Sequence, residues 1–376
     1  MAHRAPRLRA HAVAQPCGAG AFPRRTSYLT PMTLHATIAS TIRQAIERHI
    51  FPGAVVLLAR DGHVAHHAAY GTTCYGDPGS RPIAPDDIFD IASLTKMFTA
   101  TAALRLIEAG ALALDAPLAD VLPGYPQLAI TIWHLLTHTS GIDIRLSALR
   151  ELPPEQIRQA IYRTQPQRAP GEAVAYSNVN TLLLGDLVAH LTSQPLDHAI
   201  ARLVLQPLGL RETMFRPPAA LRPRIVPTEV DADWRGGLVH GHVHDESAYA
   251  LGGVAGHAGL FSTARDLLGF CQAWLLAAEG QPGGILGSTI AQQATTSQTP
   301  QHALACGLGW MMDRPNFMGA ALHGSFGHTG FTGTAMVVVP QQRAVVIMLT
   351  NRVYPRRTPA QHHEVCAALV DLALGS

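Results

Sequence analysis

The sequence predicts an α+β fold. One antiparallel sheet is assembled from both ends of the chain, flanked by helices, with a mainly helical part inserted between them. Three observations carry this. Apolar, β-prone runs bounded by turn residues lie near the start (Ala54 to Tyr70) and recur near the end (Gly307 to Leu349). The long stretch between them repeats its apolar residues at helical spacing. One helical pattern precedes the first run and another follows the last.

In chain order, Leu34, Ile38, Ile42, Ile46 and Ile50 recur every four residues and form the apolar face of a first helix, which Pro52-Gly53 ends. Ala54 to Ala59 reads as a buried strand, Asp61-Gly62 as a hairpin turn and His63 to Tyr70 as the return strand. The Pro/Gly/Asp-rich stretch from Gly76 to Asp87 is a loop. It feeds a helix from Ser93 to near Gly110, on which Leu94, Met97, Phe98, Leu104 and Ile107 share a face. Ile130 to Leu136 leads into Thr137-His138-Thr139-Ser140-Gly141, where His138 and Ser140 read as structural turn residues. Helical patterns follow at Pro154 to Arg163, Val179 to Leu191, Leu196 to Leu205 and Ala264 to Ala278, the last capped by Ser262-Thr263. Gly307 to Met311, Gly333 to Val339 and Ala344 to Leu349 read as strands, with Pro340-Gln341-Gln342 turning between the last two. A closing helix runs from Thr358 or Pro359 to Leu374.

Composition narrows the function. Over 376 residues the chain is 47% hydrophobic, 14% charged and carries a net charge of +2, so it has ample core and no basic face for nucleic acid. Its five cysteines (Cys17, Cys74, Cys271, Cys306, Cys366) are odd in number and widely spaced, against a disulfide framework or a zinc knuckle. No apolar run reaches the ~18 residues of a transmembrane segment. Residues 1–31 are arginine-rich and lack the apolar stretch of roughly 7–15 residues of a secretory signal. They read as a disordered or untranslated extension. The domain then runs over 32–376, with an α/β part at 32–90 and 300–376 and a helical part at 91–299. Without an export signal it would be cytoplasmic.

Ser93-Leu94-Thr95-Lys96 is the centre of the chain's chemistry. Of its 28 basic residues 27 are arginine, and the single lysine is Lys96. Arginine stays protonated in a protein, whereas a buried lysine can lose its proton and act as a base. Residues three apart on a helix share a face, so Lys96 would point the same way as Ser93. A serine hydroxyl is a weak nucleophile until a base stands within hydrogen-bond reach. A second group must relay the proton, and donors must hold the oxyanion. Tyr176-Ser177-Asn178, the only tyrosine with an asparagine two residues on, and His328-Thr329-Gly330 fit those needs. His240, His242 and His244 alternate and would share one face of a strand. Two could bind a zinc with a third ligand from elsewhere, but a polar strand or loop beside the site is the favoured reading. G-x-S-x-G, a Walker loop and a dinucleotide fingerprint are absent.

The order S-x-x-K, Y-x-N, H-T-G resembles the serine penicillin-recognising family, closest to its class C β-lactamase and carboxypeptidase branch. Thr137-His138-Thr139-Ser140-Gly141, Pro207-Leu208-Gly209-Leu210 and Leu349-Thr350-Asn351-Arg352 strengthen it. The stretch from Val243-His244-Asp245 through Gly256-His257-Ala258-Gly259 to Ser262 resembles the narrower penicillin-binding-protein-4B-like hydrolases. The resemblance implies a β-lactamase/transpeptidase-like fold and hydrolysis through an acyl-enzyme, without metal or organic cofactor. It implies Ser93 as nucleophile, with Lys96 and Tyr176 sharing acid–base work, either being the base. Asn178, His328, Thr329 and Gly330 would meet the substrate, and the N–H groups of Ser93 and Phe331 would form the oxyanion hole. The implied substrate is a small molecule or a peptidoglycan-type peptide, first of all D-Ala-D-Ala. Esters, with weak β-lactamase activity, are the alternative, and a non-turnover penicillin-binding sensor is the alternative of another class. The same resemblance places the protein in the cell envelope. Many family members carry lysine where this chain has His328. If His328 meets a carboxylate, kcat/KM for acidic substrates is expected to rise as pH falls toward about 6.

Overall fold

The structure, a computed structural model, describes residues 31–321, 323–357, 359 and 361–375. The expectation for 1–31 lies outside these residues except at Pro31, which opens the first helix, Pro31–Glu47. Thr358 also lies outside them.

Strands Gly53–Arg60 and Ala344–Thr350 are buried at nearly every position, so both faces of the sheet they form must be covered. They pair antiparallel at its middle, from Ala54 opposite Thr350 to Arg60 opposite Ala344. His63–Gly71 extends the sheet beside Gly53–Arg60, while Ala335–Val339, Phe326–Thr329 and Met311–Met312 extend it beyond Ala344–Thr350, all antiparallel. The two ends of the chain thus build one six-stranded sheet, as the sequence predicts. Alternation sorts its side chains. Ala54, Val56 and Leu58 pack under helices Pro31–Glu47 and His362–Leu374, through Ile38, Ile42, Val365 and Leu369. Val55 and Leu57 face the opposite core, shared with Ala264–Ala278 and the helical part. At the hairpin, Asp61 (φ 51°) and Gly62 (φ 79°) both adopt the left-handed conformation that a two-residue primed turn demands.

Helices Pro154–Arg163 and Ala264–Ala278 lie where the sequence places them. Other elements differ. Leu196 to Leu205 is an α-helix only to Ile200, then widens into a π turn. Of the tail's first expected strand only Met311 joins the sheet, in the two-residue strand Met311–Met312, because Gly307, Leu308 and Gly309 bond to Trp310, Ala294 and Leu136 in a packed loop. Phe326–Thr329, which carries His328, is a further strand, not among those expected from the sequence. No helix among the described residues is long and apolar enough to cross a membrane.

Candidate active site

Ser93 stands in a 3₁₀ turn, Ala92–Leu94, which feeds helix Thr95–Glu108, so the expected helix is split at its first turn. The backbone there is constrained. Ala92 takes φ 46°, a conformation that costs a non-glycine residue of order 1–3 kcal/mol unless its surroundings impose it. Asp90 does so: its Oδ1 accepts the Ala92 N–H at 2.8 Å and its Oδ2 accepts the His244 N–H at 2.6 Å. The Asp90 backbone in turn pairs with strand Leu260–Ser262. The first bond of the turn runs from the Leu94 N–H to the Ile91 carbonyl, leaving the Ser93 N–H ahead of it and unused.

Lys96 is completely buried, and its Nζ donates to Ser93 Oγ at 2.8 Å and to the His257 carbonyl at 3.1 Å. Burial lowers its pKa to about 7, against a weaker upward pull from Asp245. Two of the amine's hydrogen-bonding directions are thereby assigned, and near neutral pH the one toward Ser93 can carry a lone pair instead of a proton.

Tyr176 lies on the other side of this pair, with Lys96 Nζ 5.0 Å from its ring centroid. The residue is 44% exposed, its ring packed between His138 at 4.9 Å and His328 at 5.8 Å, while its hydroxyl is enclosed near Ser93. Burial holds the phenol pKa well above its ordinary value, and the neighbouring Ser93 offsets only part of that. Ser177 caps helix Asn178–Thr192, placing Asn178 at its first position on the cleft wall, where its side chain takes no hydrogen bond from any described residue. His138 accepts from Asn180 Nδ2 at 3.0 Å and from the Ser177 N–H at 3.4 Å, so it braces the turn that carries Tyr176.

The glycine of His328-Thr329-Gly330 is a matter of space. A Cβ at Gly330 would lie 2.1 Å from Thr334 Oγ1 and 2.6 Å from the Ile91 carbonyl oxygen. The turn is also stitched to the serine segment, by Thr332 Oγ1 to the Asp90 carbonyl (2.7 Å) and Thr334 Oγ1 to the Ile91 carbonyl (3.1 Å). Phe331 is thereby carried to the cleft, where it and Ser93 both line a cavity of about 310 Å³. Its N–H is free of the turn's own bonds, which use Gly330 and Gly333. Gly330→Ala is expected to destabilise the protein by about 1–3 kcal/mol, as overpacking does, read as a lowered Tm in thermal unfolding.

His328 requires a correction. It is fully buried, donates from Nδ1 to the Thr329 carbonyl at 2.8 Å, and leaves Nε2 without a partner. Burial, with Lys96 nearby, lowers its pKa to about 3. It is therefore neutral throughout the working range and lies behind Tyr176, not on the cavity wall. The expected rise toward pH 6 has no titrating group behind it. The alternating histidines lie in a loop outside any strand, with His244 on the cleft wall, in keeping with the favoured reading of a polar segment beside the site. His240 bonds to the Arg222 and Ile225 carbonyls and His244 to Glu229.

The structure adds residues to which the sequence assigns no role. Asp90 shapes the serine turn. Asp245 Oδ1 accepts from Ser247 Oγ (2.6 Å), the Ala248 N–H (2.8 Å) and His257 Nε2 (3.1 Å), and the His257 carbonyl holds Lys96. The only sequence signal for the last two is their place inside the Val243 to Ser262 stretch.

A serine hydrogen-bonded to a buried lysine whose pKa burial lowers to about 7, on the wall of a cleft and on this fold, is the arrangement of a serine hydrolase. The chain belongs to the beta-lactamase family, whose model, described as Beta-lactamase, matches residues 38–369. A relative from Escherichia coli (strain K12), provisionally named a D-alanyl-D-alanine carboxypeptidase, is 30% identical over 343 residues, covering 80% of this chain and 79% of its own. Two solved structures share the fold. EstCE1, a hydrolase with promiscuous acyltransferase activity, has a TM-score of 0.73 at 24% identity, covering 90% of this chain and 99% of its own. A class C beta lactamase has a TM-score of 0.71 at 20% identity, covering 91% and 99%.

Proposed function

We propose that the domain at 32–376 hydrolyses a small amide or ester through an acyl-enzyme on Ser93, with a D-alanyl-D-alanine-type peptide as first substrate class. The observation that carries this is the 2.8 Å contact between Ser93 Oγ and an amine whose pKa burial brings to about 7. In this reading neutral Lys96 takes the hydroxyl proton as Oγ bonds to the substrate carbonyl carbon. The Ser93 and Phe331 N–H groups hold the oxyanion. The phenol of Tyr176, kept protonated by its raised pKa, passes a proton to the leaving nitrogen or oxygen as that bond breaks, and is reprotonated from Lys96. Water then attacks the ester on Ser93 by the same route in reverse. Asn178, free on the wall, would bond the substrate's amide. The peptide class rests on the name of the Escherichia coli relative.

A specific observation favours neutral esters as the second reading. His328 is buried and uncharged, and Arg357, which lines the cleft, is engaged by Glu229 and Glu246. Intact-mass measurement after incubation with benzylpenicillin separates the two. One bound penicillin on the wild type and none on Ser93→Ala is the expected result. An unmodified wild type with the penicillin intact, together with turnover of p-nitrophenyl esters, would replace the peptide reading by the ester one.

A further inference from the structure

The wall of the cleft carries an inner carboxylate that the mechanism above leaves unused. Asp245 caps helix Glu246–Ala250, and its three hydrogen bonds, from Ser247, Ala248 and His257, all fall on Oδ1. Oδ2 accepts none from any described residue. The side chain lines the same cavity as Ser93, Tyr176 and Asn178 and is 24% exposed, so the acceptor it offers to the cavity is Oδ2. Burial pushes the Asp245 carboxyl up, but the electrostatic pull and hydrogen bond of His257, with the bonds from Ser247 and Ala248, outweigh it and hold the carboxyl far below the usual range. It is therefore ionised at neutral pH and too weak a base to activate water. What it supplies is a fixed, preoriented negative acceptor.

His257, the direct partner of this carboxylate, meets it only at Oδ1, so Oδ2 is left to the cavity. Glu246 is taken up by Arg357, which also bonds Glu229, and Glu229 holds His244. Asp143 and Arg145 stand together on the exposed outer wall, where water and salt screen both. Asp245 is the inner charge, close enough to act electrostatically on both Lys96 and Tyr176. A substrate group lying between it and Ser93 meets a carboxylate in a partly dry wall, where charge selection is strongest.

We propose that Asp245 Oδ2 is a subsite for an ammonium group on the substrate, so that this cleft selects amine-bearing acyl compounds over acidic ones. The inference deepens the serine-hydrolase reading and rests on it. A binding experiment that needs no turnover tests it. Dissociation constants are measured for meta- and para-aminomethylphenylboronic acid and for the matching carboxyphenylboronic acids, which add to a nucleophilic serine. On the wild type the ammonium compounds are expected to bind at least tenfold tighter than the carboxylates. In Asp245→Asn, whose amide oxygen can still accept the cap bonds, that ratio should fall toward one. Any change the variant causes in Ser93 or Lys96 alters both compounds alike and drops out of the ratio.

Equal affinities on the wild type would overturn the subsite even if the variant failed to fold. A ratio that survives Asp245→Asn would place the selectivity elsewhere. Binding of none of the boronic acids, with Ser93 also unlabelled by benzylpenicillin, would remove the nucleophile and the subsite with it.

Discussion

Lys96→Arg is expected to lower kcat by about 10³-fold or more, with little residual acylation of Ser93. General-base assistance is typically worth about 10² to 10⁴ in rate, and arginine retains the charge while forfeiting the function, since its guanidinium does not release a proton in a protein. The chain itself frames the experiment, because arginine stands at all its other 27 basic positions. Single-turnover acylation rates give the answer. A variant retaining a tenth of the wild-type rate would mean that Lys96 acts only as a positive charge and that the base lies elsewhere. Tyr176 is the other group beside Ser93, and its raised pKa makes it a poor base at neutral pH. Tyr176→Phe is accordingly expected to slow leaving-group departure. The loss should be larger for amides, which need a proton on nitrogen, than for activated esters, whose phenolate leaves unassisted.

That the Ser93–Lys96 contact was legible in the sequence reflects how local its signal is. A lone lysine three residues after a serine needs only a helix to bring the two together, and the structure supplies the 2.8 Å contact even though the first turn is 3₁₀. Asp61-Gly62 was legible for the same reason, since a primed turn is set by two adjacent residues. Asp90 was hidden. Its two oxygens join the N–H of Ala92, its near neighbour, to that of His244, 154 residues further along the chain, and nothing beside it announces that bridge. The character of His328 was hidden too. Its identity suggested a titrating contact with substrate, but burial decides its charge, and that burial comes with its place inside strand Phe326–Thr329, paired with Ala335–Val339. Residue type was readable from the sequence; the local dielectric was not.

That dielectric has a cost that can be measured together with its benefit. With burial bringing Lys96 to about 7 in the folded protein, the proposed mechanism, in which the neutral amine is the active form, has kcat/KM climbing tenfold for each step of one in pH below about 7 and levelling off above it. The Asp245 carboxylate pulls that pKa upward, so Asp245→Asn should move the rise to lower pH. The stability effect has the opposite face. In the unfolded chain the amine titrates near its ordinary value of 10.5, so between about 7 and 10.5 the unfolded state binds the extra proton and stability increases with pH. Below about 7 the penalty is complete and of order 5 kcal/mol, since each tenfold loss of proton affinity on folding costs roughly 1.4 kcal/mol. Even a buried ion pair replaced by apolar side chains of similar volume is often neutral to stabilising by about 1–4 kcal/mol, and Lys96 has no carboxylate among the described residues bonded to its amine to offset its desolvation. Lys96→Met is therefore expected to be inactive yet more stable than the wild type at pH 6, with the gap narrowing steadily as pH rises toward 10. Denaturant unfolding of both proteins across that range measures it. A gap that stays constant with pH would show that Lys96 is not desolvated in the folded protein, and the base assignment would lose its physical support.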